Sequence, residues 1–324
     1  MEHLHPGGIT PRRTAQIGQP GIAQHAPAHV GPAVELYIGH LSSSGPKAYS
    51  LRQGLRKIYQ RQRPGVNAGT NADWFVTRFV LVRGERTDET GFSPEDSHSS
   101  DMLYVPGRVG YQFLLPKVVG MLQDAVRHFP TIKWVAKMDD DSVVLVRHMA
   151  RALWHACPGG RHCPLYWGCL RSEGEVITEP KHKWAAIDYK NHTRLRHFPP
   201  YMFGAGYVLS RDVAAQLIAM DTGIGLVKHL SMEDATVGMW LLPLQVRRSS
   251  HCPRFVNTFQ RDAPLTAGAA RALCSGHLLV AHKVLVNEIS GEFGQELARC
   301  SGDLDERHQR NTSGINERRK RVID

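Results

Sequence analysis

The sequence predicts an α/β fold built on a mostly parallel sheet flanked by helices. The chain is long enough to bury a sizeable core, since 42% of its 324 residues are hydrophobic and 22% are charged. Between residues 34 and 156, short apolar segments rich in β-branched residues alternate with segments whose apolar residues recur at helical spacing. Such alternation is typical of strand–helix–strand units, in which neighbouring strands run parallel.

The elements follow one another clearly up to the middle of the chain. The first helix places Leu51, Leu55 and Ile58 on one face. Pro116 is tolerated in the first turn of a later helix, and Pro130 ends that helix. In chain order we predict strand Val34–Ile38, helix Tyr49–Gln60, strands Trp74–Val82 and Asp101–Val105, helix Leu114–Phe129, an apolar segment over Lys133–Val144 and helix Val146–Ala156.

The second half of the chain is less regular and sets the predicted domain limits. Beyond residue 160, Pro, Gly and Cys cluster, and helices return near Asp212–Met220 and after Glu233. We predict a disordered leader over residues 1–33, one domain over residues 34–290 and a charged tail over residues 291–324. Internal repeats are absent, which excludes a solenoid. The longest apolar runs are far shorter than the roughly 18 residues that a membrane-spanning helix needs.

Charge and cysteine content narrow the classes of partner. Lys and Arg number 40 against 30 Asp and Glu, a net charge of +10 that favours anionic partners such as nucleotide phosphates or polyanionic glycans. No nucleic-acid motif is present, so nucleic acid is not an expected partner. The six cysteines form no C-x-x-C pair, which disfavours a zinc ribbon. Their even number is compatible with disulfides. We expect Cys157, Cys163 and Cys169 to form disulfides that stabilise the irregular segment beyond residue 160.

Three consecutive carboxylates, Asp139–Asp141, directly follow an apolar strand. In open α/β sheets, ligands bind outside the carboxyl ends of the strands. Three carboxylates at one such position repel one another unless a cation or several hydrogen bonds offset their charge. Mn²⁺ or Mg²⁺ fits, bridging a carboxylate to a diphosphate. The alternative is a solvated acidic turn.

The acidic motif is one of six segments that match the motifs of a known protein family in the same order along the chain. They are Arg52–Tyr59, Asp101–Lys117, Asp139–Asp141, Lys183-Trp184, Phe198–Asp212 and Glu233–Gly238. Together they resemble the inverting β-1,3-glycosyltransferases, the family of β-1,3-galactosyltransferases and N-acetylglucosaminyltransferases to which Fringe is related. The resemblance runs from about Val34 to Val284. It implies a GT-A-type nucleotide-sugar transferase fold over residues 34–290.

The implied activity is metal-dependent and inverting. A hexose, galactose or N-acetylhexosamine, passes from a UDP-sugar to a glycan hydroxyl in β-1,3 linkage, with a glycan or glycoprotein as acceptor. The implied location is the Golgi lumen, and the family's N-terminal membrane anchor is not found in this sequence. Two alternatives stay open: a retaining transferase of similar fold, and a non-catalytic relative that binds carbohydrate or nucleotide sugar.

The resemblance also implies roles for individual residues. Mn²⁺, or Mg²⁺, is expected on Asp139, Asp141 and His251, with His282 as the rival histidine. Asp234 is the expected general base, the alternative being that Glu233 and Asp234 only cap a helix. The residues expected around the nucleotide sugar are Arg52, Arg56, Asp139, Asp140, Lys183, Trp184, Gly204 and Gly206. For the two arginines the alternative is a charged helix surface, and for Trp184 it is core packing.

Overall fold

A mixed sheet forms the centre of the molecule. The computed structural model describes residues 35–63, 74–83, 99–158, 163–224, 230–256 and 265–299, and all of these belong to one compact unit. The strands are β1 (Leu36–Leu41), β2 (Phe75–Val82), β3 (Met102–Val105), β4 (Trp134–Asp139), β5 (Val143–Val144), β6 (Leu165–Arg171), β7 (Gly174–Glu175), β8 (His197–Phe198), β9 (Tyr201–Ser210), β10 (Arg247–Ser250), β11 (Phe255–Val256) and β12 (Val280–Ala281).

Helices connect these strands and cover the sheet. The α-helices are α1 (Pro46–Arg61), α2 (Leu115–His128), α3 (Val146–Ala156), α4 (Ile187–Thr193), α5 (Arg211–Ile224), α6 (Glu233–Trp240), α7 (Ala267–Cys274) and α8 (Val286–Ser290), and residues 292–299 are also helical. Short 3₁₀ turns lie at Tyr111–Phe113 and Cys252–Arg254. Within the described part of the chain, no helix is long and apolar enough to cross a membrane.

The main sheet has the strand order β10-β6-β9-β4-β1-β2-β3. The pairs β1–β2, β1–β4, β2–β3 and β6–β10 are parallel, while β9 runs antiparallel to both of its neighbours. The predicted α/β fold with a mostly parallel sheet is therefore confirmed. Because β9 is reversed, its amino-terminal end lies at the same edge as the carboxyl ends of the other strands.

Apolar periodicity explains how the helices pack. In α1, Leu51, Leu55 and Ile58 are buried as predicted, and the same helix also buries Arg52 completely. Pro116 lies in the first turn of α2, where its missing N–H costs no hydrogen bond. The bounds of α3 match the predicted Val146–Ala156 because its apolar residues recur strongly at helical spacing.

The domain limits need one correction. We predicted a charged tail from residue 291, but residues 292–299 are helical, and Phe293 and Leu297 are buried in the core. Their i, i+4 spacing places both on one helix face, so the core continues past residue 290. The predicted leader over residues 1–33 and the part of the tail after residue 299 lie outside the described residues.

Disulfides link the less regular second half. Cys157 pairs with Cys163, and Cys169 pairs with Cys252. Cys274 is disulfide-bonded as well. The first bond closes the short segment between α3 and β6, as predicted for that stretch. The second joins β6 to the segment after β10, at one edge of the main sheet.

Candidate active site

A cleft of about 990 Å³ lies at the carboxyl edge of the sheet. The order of the strands brings the acidic motif after β4 together with the amino-terminal end of β9 and the start of α6. Carboxylates, four basic residues and aromatic rings line the cleft, the basic residues being Lys117, Arg171, Lys183 and Lys283. Its volume is typical of small-molecule sites, and the mixture of charges suits a ligand that carries both phosphates and sugar hydroxyls.

Three potential metal ligands converge in this cleft. Asp139, Asp141 and His282 each offer one ligand atom, and the three atoms lie within 4.8 Å of one another. Asp141 Oδ1 lies 3.1 Å from His282 Nδ1. That oxygen is buried, and the described residues give it no well-aligned hydrogen-bond donor. Two carboxylates and an imidazole are a donor set that Mn²⁺ accepts, so the residues present fit a divalent cation.

Strand pairing explains why His282 belongs to this group. β12 pairs antiparallel with β5, with Ala281 opposite Val143, so the next residue, His282, lies beside Ser142 and Asp141. Ser142 Oγ lies 3.0 Å from His282 Nδ1 and donates a hydrogen bond to the Ala205 carbonyl at 2.8 Å. Burial raises the pKa of Asp141, but His282, a backbone hydrogen bond of Asp141 and the charge of Lys47 together outweigh burial, and the pKa is lowered.

The structure places His251, the predicted metal ligand, elsewhere. His251 follows β10, which pairs with β6 at the outer edge of the sheet, three strands away from β4. Its ring packs on Trp167 at 5.2 Å, and its Nε2 lies 3.2 Å from Ser249 Oγ. Among the described residues, the metal-ligand group contains His282 and not His251. The prediction of His251 is therefore corrected in favour of its rival.

Asp140, the middle residue of the acidic motif, contacts Ser42 and is not one of the three potential metal ligands. Its Oδ2 accepts a hydrogen bond from Ser42 Oγ at 2.8 Å, and Ser42 Oγ in turn accepts one from Arg52 at 3.0 Å. Burial raises the pKa of Asp140 to about 6. Arg52 also donates to the Ser43 carbonyl at 2.7 Å. Arg52 is thus buried behind the cleft wall, and these hydrogen bonds join it to Ser42 and Ser43, which line the cleft.

Asp234 lies in the cleft at the start of α6. Met232 occupies the N-cap position and makes no side-chain cap hydrogen bond, so Glu233 and Asp234 lie in the first turn of the helix and not at its N-cap. Asp234 Oδ2 instead accepts a hydrogen bond from the Gly204 N–H at 2.9 Å, and Oδ1 accepts one from the Ala235 N–H at 2.8 Å. Burial raises the pKa of Asp234 although Lys137 and both backbone donors oppose the rise.

Three further residues predicted around the nucleotide sugar line the same cleft. They are Lys183, Trp184 and Gly204. Lys183 Nζ lies 4.8 Å from the centre of the Tyr111 ring, which also faces the cleft. A Cβ at Gly204 would lie 2.9 Å from Asp234 Oδ2, so any side chain here would press on the carboxylate.

Besides Arg52, two predicted binding residues lie outside the cleft lining. Arg56 forms a bidentate ion pair with Asp101, with N–O distances of 2.8 and 2.9 Å, and this pair joins α1 to the residue before β3. Gly206 pairs with Met138 between β9 and β4, and a Cβ there would lie 2.5 Å from Met138 Sδ. Both residues therefore hold the scaffold together.

Sequence reasoning did not single out two buried residues next to the acidic motif. Lys137 Nζ donates to Asp139 Oδ1 at 2.8 Å and lies 2.6 Å from Glu233 Oε1. His40 Nδ1 lies 2.9 Å from the Asp139 carbonyl, and its Nε2 lies 2.8 Å from the Tyr59 hydroxyl. Burial lowers the pKa of His40 to about 4, which keeps the ring neutral. A carbonyl only accepts, so Nδ1 carries the proton and donates it to Asp139.

Comparison with known proteins identifies the family. The galactosyltransferase family model matches residues 52–252, more than half of the chain and a range that includes the acidic motif and Asp234. The chain belongs to the galactosyltransferase family. This confirms the β-1,3-glycosyltransferase resemblance drawn from the motifs, and it makes the protein a glycosyltransferase.

Relatives of this galactosyltransferase-family protein span animals and plants. Beta-1,3-galactosyltransferase 6 of Mus musculus is 26% identical over 279 residues, which cover 85% of this chain and 78% of the mouse protein. UDP-GalNAc:beta-1,3-N-acetylgalactosaminyltransferase 1 of Rattus norvegicus is 26% identical over 68% of this chain and 63% of its own length. Hydroxyproline O-galactosyltransferase GALT5 of Arabidopsis thaliana is 28% identical over 73% of this chain, and only 32% of that protein is covered.

One solved structure is similar over most of the chain. It is a glycosyltransferase involved in the glycosylation of the major capsid of PBCV-1. The match covers 83% of this chain and 98% of the other, at 11% identity and a TM-score of 0.37.

Proposed function

We propose that this protein transfers a hexose from a UDP-sugar to a glycan hydroxyl, with inversion, in β-1,3 linkage and with Mn²⁺ or Mg²⁺ as its metal. The donor sugar is galactose or an N-acetylhexosamine, and the acceptor is a glycan or a glycoprotein. One observation carries the proposal: the ligand atoms of Asp139, Asp141 and His282 converge in the same cleft that holds Asp234. The printed names of the mouse and rat relatives, both β-1,3-hexosyltransferases, support the linkage and the sugar class.

The donor side of the cleft is built for an anionic leaving group. Asp139, Asp141 and His282 would hold the ion, which when bound supplies Lewis-acid stabilisation of the departing diphosphate. Lys183 adds an exposed positive charge beside Tyr111. Asp140 accepts a hydrogen bond from Ser42 at the same wall and would contribute to binding of the nucleotide sugar.

The acceptor side depends on Asp234. Each of its oxygens accepts one backbone hydrogen bond, from Gly204 and Ala235, which fixes the carboxylate but leaves a lone pair on each oxygen. Asp234 would take the proton from the acceptor hydroxyl as this oxygen attacks the anomeric carbon from the face opposite the diphosphate. Burial raises its pKa towards working pH, which improves its strength as a base.

The proposed location is the Golgi lumen. The disulfides Cys157–Cys163 and Cys169–Cys252 suit the oxidising lumen of the secretory route. Glycan acceptors are found in the same compartment in the family that the motifs resemble.

The test is UDP release from a panel of UDP-hexoses with and without Mn²⁺, using Asp234→Asn as the diagnostic variant. We expect turnover to fall by about 10²–10⁴-fold while Mn²⁺-dependent UDP binding is nearly unchanged, since asparagine keeps the shape but takes no proton. Glu175→Gln is the matched control, because Glu175 is a carboxylate in the same cleft but exposed.

Four outcomes would contradict the proposal. Full turnover in excess EDTA would contradict the proposed metal dependence. Full turnover of Asp234→Asn would contradict the assignment of Asp234 as the general base. A product with retained anomeric configuration by NMR would favour a retaining transferase. A wild type that binds UDP but releases none from any UDP-hexose would favour a non-catalytic binding protein.

A further inference from the structure

Lys137 is a charged residue in the middle of an apolar strand. It lies in β4 among Val135, Ala136 and Met138, and its side chain is 1% exposed. Side chains alternate along a strand, so Lys137 and Asp139 project from the same face. A buried lysine is costly unless its charge is paired and its protons are hydrogen-bonded.

Three acceptors surround the ammonium group, each from a different part of the site. Lys137 Nζ donates to Asp139 Oδ1 at 2.8 Å in the acidic motif and lies 2.6 Å from Glu233 Oε1 at the start of α6. It also donates to the Gly204 carbonyl in β9. An ammonium has three protons, so one is available for each acceptor.

These contacts connect the two ends of the cleft. Gly204 receives Lys137 on its carbonyl and donates its own N–H to Asp234 Oδ2 at 2.9 Å. The chain of contacts therefore runs from Asp139, in the metal-ligand group, through Lys137 and Gly204 to the proposed base. Glu233 is held from its other side by the Tyr207 hydroxyl, which donates to Oε2 at 3.2 Å.

The buried ion pair between Lys137 and Glu233 need not add to the stability of the fold. Burial favours the neutral form of Lys137, but Asp139 and Glu233 outweigh burial and raise the pKa of Lys137 well above its ordinary value. Burial raises the pKa of Glu233 to about 7 although Lys137 opposes the rise. Replacing such a buried ion pair by apolar residues of similar size is often neutral or stabilising. Stability alone therefore gives no reason to keep the pair.

We propose that Lys137 is a positioning residue, which holds the carboxylate of Asp139 for the metal and, through Gly204 and Glu233, the start of α6 that carries Asp234. The inference rests on the proposed function, because it assigns Lys137 its role through the metal ligand and the base of that site. It predicts that metal binding and turnover depend on Lys137 even when the stability of the fold does not.

The test compares the wild type with the double variant Lys137→Met/Glu233→Met, which removes the ion pair while keeping the net charge. Thermal unfolding, Mn²⁺ affinity from the electron paramagnetic resonance signal of free Mn²⁺, and turnover are measured on the same samples. We expect a melting temperature close to that of the wild type, with Mn²⁺ affinity and turnover each lowered about 10–100-fold, the usual effect of removing a group that orients a metal ligand.

A matched control removes an ion pair at the other end of the same strand. Lys133 Nζ lies 2.6 Å from Glu35 Oε1, just before β4 begins. Lys133→Met/Glu35→Met should change neither Mn²⁺ affinity nor turnover. If the first double variant does not fold, Lys137→Gln/Glu233→Gln is measured instead, with losses in the same direction expected.

The outcomes separate this inference from the function on which it rests. A folded Lys137 double variant with the Mn²⁺ affinity and turnover of the wild type would overturn the inference and leave the proposed function intact. A wild type that binds Mn²⁺ but transfers no sugar would refute the proposed activity, and the loss of Mn²⁺ affinity in the variant would still support the role of Lys137. A wild type that binds no Mn²⁺ would refute the metal site and this inference together.

Discussion

Two glycines of β9 should respond differently to the same substitution. In Gly204→Ala, the added methyl group would lie 2.9 Å from Asp234 Oδ2 and 3.4 Å from Glu233 Oε1. Non-bonded contacts are optimal near 3.5 Å, so the Asp234 carboxylate must move by about half an ångström and its hydrogen bond from Gly204 must lengthen. A misplacement of this size in a reacting group should lower turnover roughly tenfold.

Gly206→Ala is the matched control two residues along the same strand. Its methyl group would lie 2.5 Å from Met138 Sδ, the flexible end of a core side chain outside the cleft lining. Both variants should lose about 1–3 kcal/mol of unfolding free energy through overpacking. Only Gly204→Ala should also lose turnover.

The assays are urea unfolding for stability and UDP release at saturating donor for turnover. Working below the unfolding transition of both variants ensures that only folded protein is compared. If Gly206→Ala loses as much turnover as Gly204→Ala, the effect arises from general packing of β9. If Gly204→Ala keeps the turnover of the wild type, the position of Asp234 does not limit the reaction.

Three further predictions follow from other contacts. Arg56→Met should cost at most about 1 kcal/mol of stability in urea unfolding and leave turnover unchanged, because its ion pair with Asp101 is partly exposed and outside the cleft lining. The acidic limb of the kcat/KM–pH profile should lie above the ordinary carboxyl range, since burial raises the pKa of Asp234 and activity is lost as falling pH protonates it; a limb near pH 4 would contradict this. Replacing Cys169 and Cys252 by serine should lower the unfolding free energy by about 2–5 kcal/mol, as that bond joins residues 83 apart in sequence.

Local patterns explain what the sequence could predict. Helix α3 has strong apolar periodicity, so its bounds followed from spacing alone, whereas strand β4 was predicted only as part of an apolar segment over Lys133–Val144. The acidic motif was visible because three carboxylates at the end of an apolar strand require compensation. Asp234 was predicted from its motif, and the structure places it in the cleft with that acidic motif.

The choice between the two histidines depended on strand pairing, which is not local. His251 and His282 each follow a short strand, and nothing in the neighbouring residues distinguishes them. β12 pairs with β5 beside the acidic motif, whereas β10 pairs with β6 at the outer edge. Only these pairings decide which imidazole reaches Asp139 and Asp141.

The positions of some residues that we did not predict also follow from strand or helix periodicity. Lys137 lies two residues before Asp139, so the alternation of a strand already places both on one face. Phe293 and Leu297 are spaced as on one face of a helix, but we predicted a charged tail there because most of the segment is polar or charged. Arg56 and Asp101 belong to two different motifs, and their bidentate pairing shows that a family motif residue can serve the scaffold.

The most direct test of the metal centre is the Mn²⁺ affinity of His282→Ala and His251→Ala in the presence of UDP, measured by isothermal titration calorimetry. Removing a true ligand should cost at least as much as removing a group that only orients one, so His282→Ala should weaken Mn²⁺ binding by at least about tenfold. His251→Ala should bind Mn²⁺ as the wild type does, because its ring packs on Trp167 at the sheet edge. If His251→Ala loses the metal and His282→Ala keeps it, the metal centre described here is wrong.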